Sequence, residues 1–193
     1  MEKKAREKQL INKLILLGGV FGYSQIADII LVFSGFKPAA MVELSRFRDS
    51  KLSLKSFSKK VEDLEKIMTL LSLEYKLHIN YPKDKKEITS YSYVARDQRT
   101  LKKLVSAHNE TSQKKRRLVV GKLLGYPKIA VGGFATGKVI EVGELPPEVL
   151  RLEELKFLRF RLSKNWKNEL RYVRLMRDEI KNIAPALYQK IKE

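Results

Sequence analysis

Apolar residues recur at helical spacing near the start of this chain, at Leu10, Ile11, Leu14, Ile15 and Leu17, and Gly18-Gly19 is expected to stop that helix. Ile26 to Phe33 is a short apolar run around Asp28, which reads as a buried strand or a short buried helix ended by Ser34-Gly35. Pro38 suits the first turn of a short helix through Ala39, Ala40, Met41, Val42 and Leu44. Ser45 to Lys55 is polar and reads as a loop. A helix opening near Ser58, with Glu62 close by, would bury Val61, Leu64, Met68 and Leu71.

At Leu73 the period changes to two. Leu73, Tyr75, Leu77 and Ile79 fall on one side of a strand, with Glu74, Lys76 and His78 on the other. Ile88 to Val94 alternates again, and "NYPKDKKE" between them reads as a turn, so an antiparallel hairpin with one wet face is expected. Asp97 can cap a helix carrying Leu101, Leu104 and Val105, and a second helix is expected from Ser112 to about Leu124, closed by Gly125 and Pro127. A second hairpin is expected from Ile129 to Val142, turning at Ala135-Thr136-Gly137-Lys138. "ELPPEV" at 144–149 is a rigid joint, and Val149 to Glu193 reads as helical with interruptions near Ser163 and Pro185. The expected class is α+β: a small antiparallel sheet, with hairpins near 73–94 and 129–142, packed with helices and followed by a helical C-terminal region. Residues 1–145 read as a mixed domain, and 146–193 as a helical segment packed on the same core.

The glycine hairpin competes with a phosphate-binding loop, because Gly132 and Gly137-Lys138 in "VGGFATGKV" have P-loop spacing. A P-loop needs a hydroxyl after the lysine to hold Mg²⁺ and a helix starting there. Val139 has no hydroxyl, and the β-branched run that follows it is strand chemistry. The hairpin is the better reading. Glu74-Tyr75-Lys76 has the Glu-x-Lys spacing of a metal-dependent nuclease, but it needs another carboxylate on a neighbouring strand, for which Asp28 is the only candidate. His78 and His108 lack ligand spacing, no Gly-x-Ser-x-Gly nucleophile elbow occurs, and the absence of cysteine removes disulfides, Cys-based zinc sites and thiol chemistry. No catalytic residue, metal site or cofactor is expected.

Charge then decides the function class. The chain has 40 basic residues against 22 acidic, a net charge of +18, which draws polyanions and above all nucleic acid. The densest cluster is Lys114-Lys115-Arg116-Arg117, within a span from Arg99 to Lys128 that also holds Lys122 and carries +8. Four cations at a helix start repel one another and oppose the helix dipole, and a bound phosphate relieves both penalties. A second basic run comprises Lys156, Arg159, Arg161, Lys164, Lys167, Arg171, Arg174 and Arg177, interleaved with Phe157, Phe160, Trp166 and Tyr172. Basic residues contact phosphates and exposed aromatics stack on bases, although aromatics at helical spacing usually belong to a core.

"VGKLLGYPKIAV", residues 120–131, resembles the domain of unknown function 483 family, whose members carry a Gly-x-Leu-Leu-Gly-Tyr-Pro segment followed by paired cysteines. Ile129 and Ala130 stand where those cysteines would be. "SGFKPAAMVEL", residues 34–44, is similar to an upstream Pro-Ala-Ala segment of that family. The resemblance implies an archaeal source and a mixed α+β fold, and brings no activity with it. The expected function is RNA or DNA binding through phosphate contacts, without strong sequence specificity, in the cytoplasm and away from membranes. The alternatives are a metal-dependent nuclease or nucleotide-processing enzyme, and an interaction subunit for an acidic protein partner.

Overall fold

The computed structural model describes residues 2–44, 53–80 and 89–193, and it is an α+β structure. The chain divides into two compact units, Met1–Leu101 and Lys102–Glu193. The division falls well before the boundary expected after residue 145, because the helix of 128–135 packs with the C-terminal segment and carries the helix of 113–123 with it.

In the first unit, α1 (Glu2–Phe21) continues through Gly18 and Gly19 instead of stopping at them. Gly18 is there for packing: a Cβ at this position would stand 2.2 Å from the Tyr23 ring. The break comes at Gly22, whose φ of 90° is open mainly to glycine. Next, α2 (Tyr23–Ser34) resolves the strand-or-helix choice as a helix. Ile26, Ile29, Ile30, Leu31 and Val32 are fully buried around its circumference, and a helix apolar on all sides is a core helix. Gly35, at φ 85°, ends it.

The short helix expected after Pro38 is instead a strand, β1 (Ala39–Glu43). It pairs antiparallel with β3 (Thr89–Ala95) from Ala39↔Ala95 to Glu43↔Tyr91. Proline suits a strand's entry as well as a helix's, and five residues are too few for a period to choose between them. On the other side of β3 lies β2 (Glu74–Asn80), giving the sheet order β1-β3-β2. The predicted 73–94 hairpin is therefore present, with Glu74, Lys76 and His78 exposed. Most of its turn, 81–88, lies outside the described residues, as does 45–52 of the expected loop. Helix α3 (Leu54–Leu70) starts earlier than Ser58, because Ser53 is the N-cap, its hydroxyl accepting from Ser56 N–H at 3.2 Å. The inner face is as expected, with Val61, Leu64, Met68 and Leu71 buried.

Helix α4 (Gln98–His108) begins on the Asp97 cap: one carboxylate oxygen accepts from Thr100 N–H at 2.8 Å and the other from its hydroxyl at 2.7 Å. Those bonds hold the Asp97 carboxyl below the usual range. In the second unit, α5 (Gln113–Leu123) runs from the Ser112 cap to the left-handed Gly125, φ 75°, as the sequence predicts.

The 129–142 hairpin is not formed. Residues Lys128–Ala135 are a helix, α6, capped at Pro127 and burying Ala130, Val131 and Ala135. Strand β4 (Val139–Ile140) does follow the glycines, which keeps the P-loop excluded, but it pairs with β5 (Leu162–Ser163). Gly133, expected in the outgoing strand of that hairpin, permits close packing instead. A Cβ on Gly133 would meet Lys138 O and Ser163 Cβ, each at 2.9 Å. After α7 (Pro147–Leu150) and a 3-10 turn at Glu153–Phe157, α8 (Trp166–Ile183) and α9 (Pro185–Lys192) complete the chain, with breaks near Ser163 and Pro185 as the sequence predicts. Among the described residues, no helix is long and apolar enough to cross a membrane.

Candidate nucleic-acid interface

Of the charge of +18, the second unit carries +11, from 21 basic and 10 acidic residues. Its basic helix is α5. Ser112 Oγ accepts from Lys115 N–H at 3.4 Å, and Glu110 in turn accepts from Ser112 N–H at 3.1 Å. The cap explains how a helix can open on four cations: the first-turn N–H groups are partly satisfied, and one acid sits just before them.

Those four cations do not act as one block. Lys114 and Lys115 are exposed, while Arg116 and Arg117 are half-buried. Lys115, Val119 and Lys122, at i, i+4 and i+7, form an exposed outer face. Val119 and Leu123 line a groove of about 790 Å³ against α4, whose rim carries Lys102 and Lys103. These two α4 lysines were not singled out by sequence; their i, i+1 spacing gave no hint that they would face α5 across a groove.

Arg117 turns the other way, toward the C-terminal end of α6. Its Nη1 donates to Phe134 O at 3.3 Å, and its guanidinium carbon lies 4.7 Å from the Phe134 ring centre. A cation at a helix C-terminus is favoured by the dipole, and the ring adds a cation–π contact. Arg161 approaches the same ring, at 6.0 Å, while its Nη1 pairs with Glu141 at 3.0 Å. Both members of that pair are largely exposed, so the pair costs little to open. Phe134 thus joins the two basic segments that the sequence left apart.

The rest of the C-terminal basic run divides. Lys164 and Arg171 are exposed. Lys167 is exposed and lies 5.5 Å from the half-buried Trp166 ring. Arg174 pairs with the buried Glu154 at 2.9 Å, and Arg177 shares that carboxylate at 3.1 Å. Arg159 buries its Nη2. Arg159 and Arg174 therefore serve the fold at least in part. Among the aromatics, Phe157 is core, stacked on Tyr188 at 5.6 Å, and Phe160 is half-buried between Tyr126 and Tyr172. Only Trp166 and Phe134 of this region offer a partly open ring next to cations.

As for the catalytic alternatives, Asp28 is on a helix, buried, and paired with Lys37 at 2.6 Å, so it is not the strand carboxylate that Glu74 and Lys76 would need. Among the described residues no group of three metal-ligand side chains gathers. Comparison with known proteins matches this chain to no family model, no curated protein and no solved structure.

Helix α9 is tied to the 3-10 turn at Glu153–Phe157. Tyr188 donates its hydroxyl to Glu153, and Lys192 pairs with the same carboxylate at 3.1 Å. The Tyr188 hydroxyl, then Lys192, hold the Glu153 carboxyl below its ordinary value near 4.5. A depressed carboxyl contributes stability above its unfolded pKa and loses it as pH falls toward the folded one. Glu153→Gln should therefore lower the thermal midpoint at neutral pH, and the gap to the parent should close as pH falls below about 4.5. Melting curves of both proteins between pH 3 and 7 check this; a gap that ignores pH would refute it.

Proposed function

We propose that this is a cytoplasmic protein that binds RNA or DNA through phosphate contacts, without strong sequence specificity. The meeting of Arg117 and Arg161 at Phe134 supports this reading, because one cation of the α5 cluster and one of the C-terminal basic run share the same ring. Lys102 and Lys103 at the α4–α5 groove, with Lys115 and Lys122 exposed on α5, offer a second set of cations, whose flexible ammonium groups can follow a phosphate backbone. Phosphate contacts by lysines carry no sequence information, so affinity should be tolerant of sequence.

The test is the salt dependence of binding to single- and double-stranded oligonucleotides, read by fluorescence anisotropy. With about six phosphate contacts, affinity should fall about a thousandfold between 50 and 200 mM salt. Lys115→Ala/Lys122→Ala and Arg161→Ala, from segments far apart in sequence, should each weaken binding and flatten the slope by about one unit for every phosphate-bound cation removed. Arg117 is left intact, because it holds the α6 terminus and its loss would confuse folding with binding. If the slope is unchanged in all variants, the cations are a solvated face. Failure to bind any oligonucleotide at 50 mM salt would overturn the reading and leave an acidic protein partner as the better account of the charge.

A further inference from the structure

We propose that a cleft in the first unit, between the opening turns of α1 and the end of α3, binds a small amphipathic anion: an aliphatic body with a carboxylate or phosphate head. The cleft lies wholly within 1–101, so the proposal does not depend on the nucleic-acid reading. Its volume is about 610 Å³, in the range of small-molecule sites. Leu10, Leu71 and Leu73 form a floor that water hardly reaches, Phe33 stands half-buried at one side, and Leu70 is left 50% exposed at the lip. An exposed leucine continuous with an apolar floor is a surface that an aliphatic chain would cover.

The rim supplies the charge. Lys3 and Arg6, at i and i+3 on α1, and Arg96 after β3 all line the cleft, opposed among the described lining residues only by Glu7. Arg96 is placed by a backbone feature: its guanidinium lies against Gly35, where a Cβ would come within 2.4 Å of Nη1. The α2 and α3 ends that reach the cleft contribute about half a negative charge each. With Glu7 they offset about two of the three cations, while the first turn of α1 adds about half a positive charge, which leaves a net charge of about +1 to +2 for a head group. A monoanion with an aliphatic tail matches both the floor and the rim.

Isothermal titration of the full chain tests this with sodium decanoate and decyl phosphate, each below its micelle concentration, and with decyltrimethylammonium and AMP as comparisons. Both anionic amphiphiles should bind saturably at one site, and the tighter of the two identifies the head group. Lys3→Gln/Arg6→Gln, both exposed on α1, should weaken them at least about tenfold, as expected for removal of a charge-assisted bond, with melting unchanged. Leu70→Ser should weaken them through the tail instead. Equal binding of the ammonium amphiphile, undiminished affinity in the double variant, tighter binding of AMP, or no saturation would each overturn the proposal.

Discussion

Asp28→Ala should lower the free energy of unfolding by about 3 kcal/mol or more, one of the largest effects expected of any substitution in this protein. Lys37 is the reason. Its side chain is 1% exposed and its ammonium lies 2.6 Å from Asp28, itself 10% exposed. Removing the carboxylate leaves a buried ammonium without its nearest countercharge, and breaking such a pair from one side typically costs about 3–5 kcal/mol. The local chain explains how the lysine arrives there. Gly35 ends α2 in a left-handed turn, and Lys37 N–H returns to Leu31 O at 2.9 Å, so the chain doubles back along the helix toward Asp28. Removing both charges should behave differently. Asp28→Val with Lys37→Met should recover more than half of the loss, because two ions no longer need to leave water on folding. Urea titrations of the single and double variants measure both quantities. A single-variant loss below about 1 kcal/mol would mean that the pair is effectively at the surface.

That pair also marks where the sequence stops being legible. Asp28 in an apolar run and Lys37 beside a proline look unrelated, because their meeting depends on a reversal set by Gly35. The elements that could be read carry their own local signals. The inner stripe of α3, the Asp97 cap, the Ser112-to-Gly125 limits of α5 and the alternation of β2 each follow from periodicity or capping within a few residues. Two of the misreadings share a cause. Gly18-Gly19 and Gly132-Gly133 are breakers by local propensity, at about 1 kcal/mol each, yet both pairs lie inside helices, where Gly18 packs against Tyr23 and Gly133 against Lys138 and Ser163. The basic surface was half legible for a similar reason. Sequence gives the density of cations, but their direction depends on which way α5 faces. That orientation sends Lys115 outward and Arg117 onto Phe134.

Gly132 and Gly133 are neighbours in one helix, and alanine should act in opposite directions at the two. At Gly132 a Cβ meets nothing within 4 Å, so Gly132→Ala should be neutral or stabilise by up to about 1 kcal/mol, the gain in helix propensity. At Gly133 the new methyl would stand 2.9 Å from Lys138 O and 2.9 Å from Ser163 Cβ. Neither neighbour can give way cheaply. Lys138 O is backbone, its residue tied by Lys138 N–H to Gly133 O at 2.8 Å. Ser163 is held by the buried Glu169, which accepts from its N–H at 2.7 Å and from its hydroxyl at 2.5 Å, and it also pairs with Val139 in the β4–β5 ladder. Overpacking at such a contact costs about 1–3 kcal/mol, and relief would come by separating α6 from the β4–β5 pair. Because Arg161 immediately precedes β5 and Phe134 follows Gly133, that separation would also pull Arg161 off the Phe134 ring. Gly133→Ala should therefore melt earlier and, under the proposed function, bind nucleic acid less well, with Gly132→Ala unchanged in binding. Equal melting points for the two alanine variants would show that α6 does not pack as closely on Ser163 as the geometry requires.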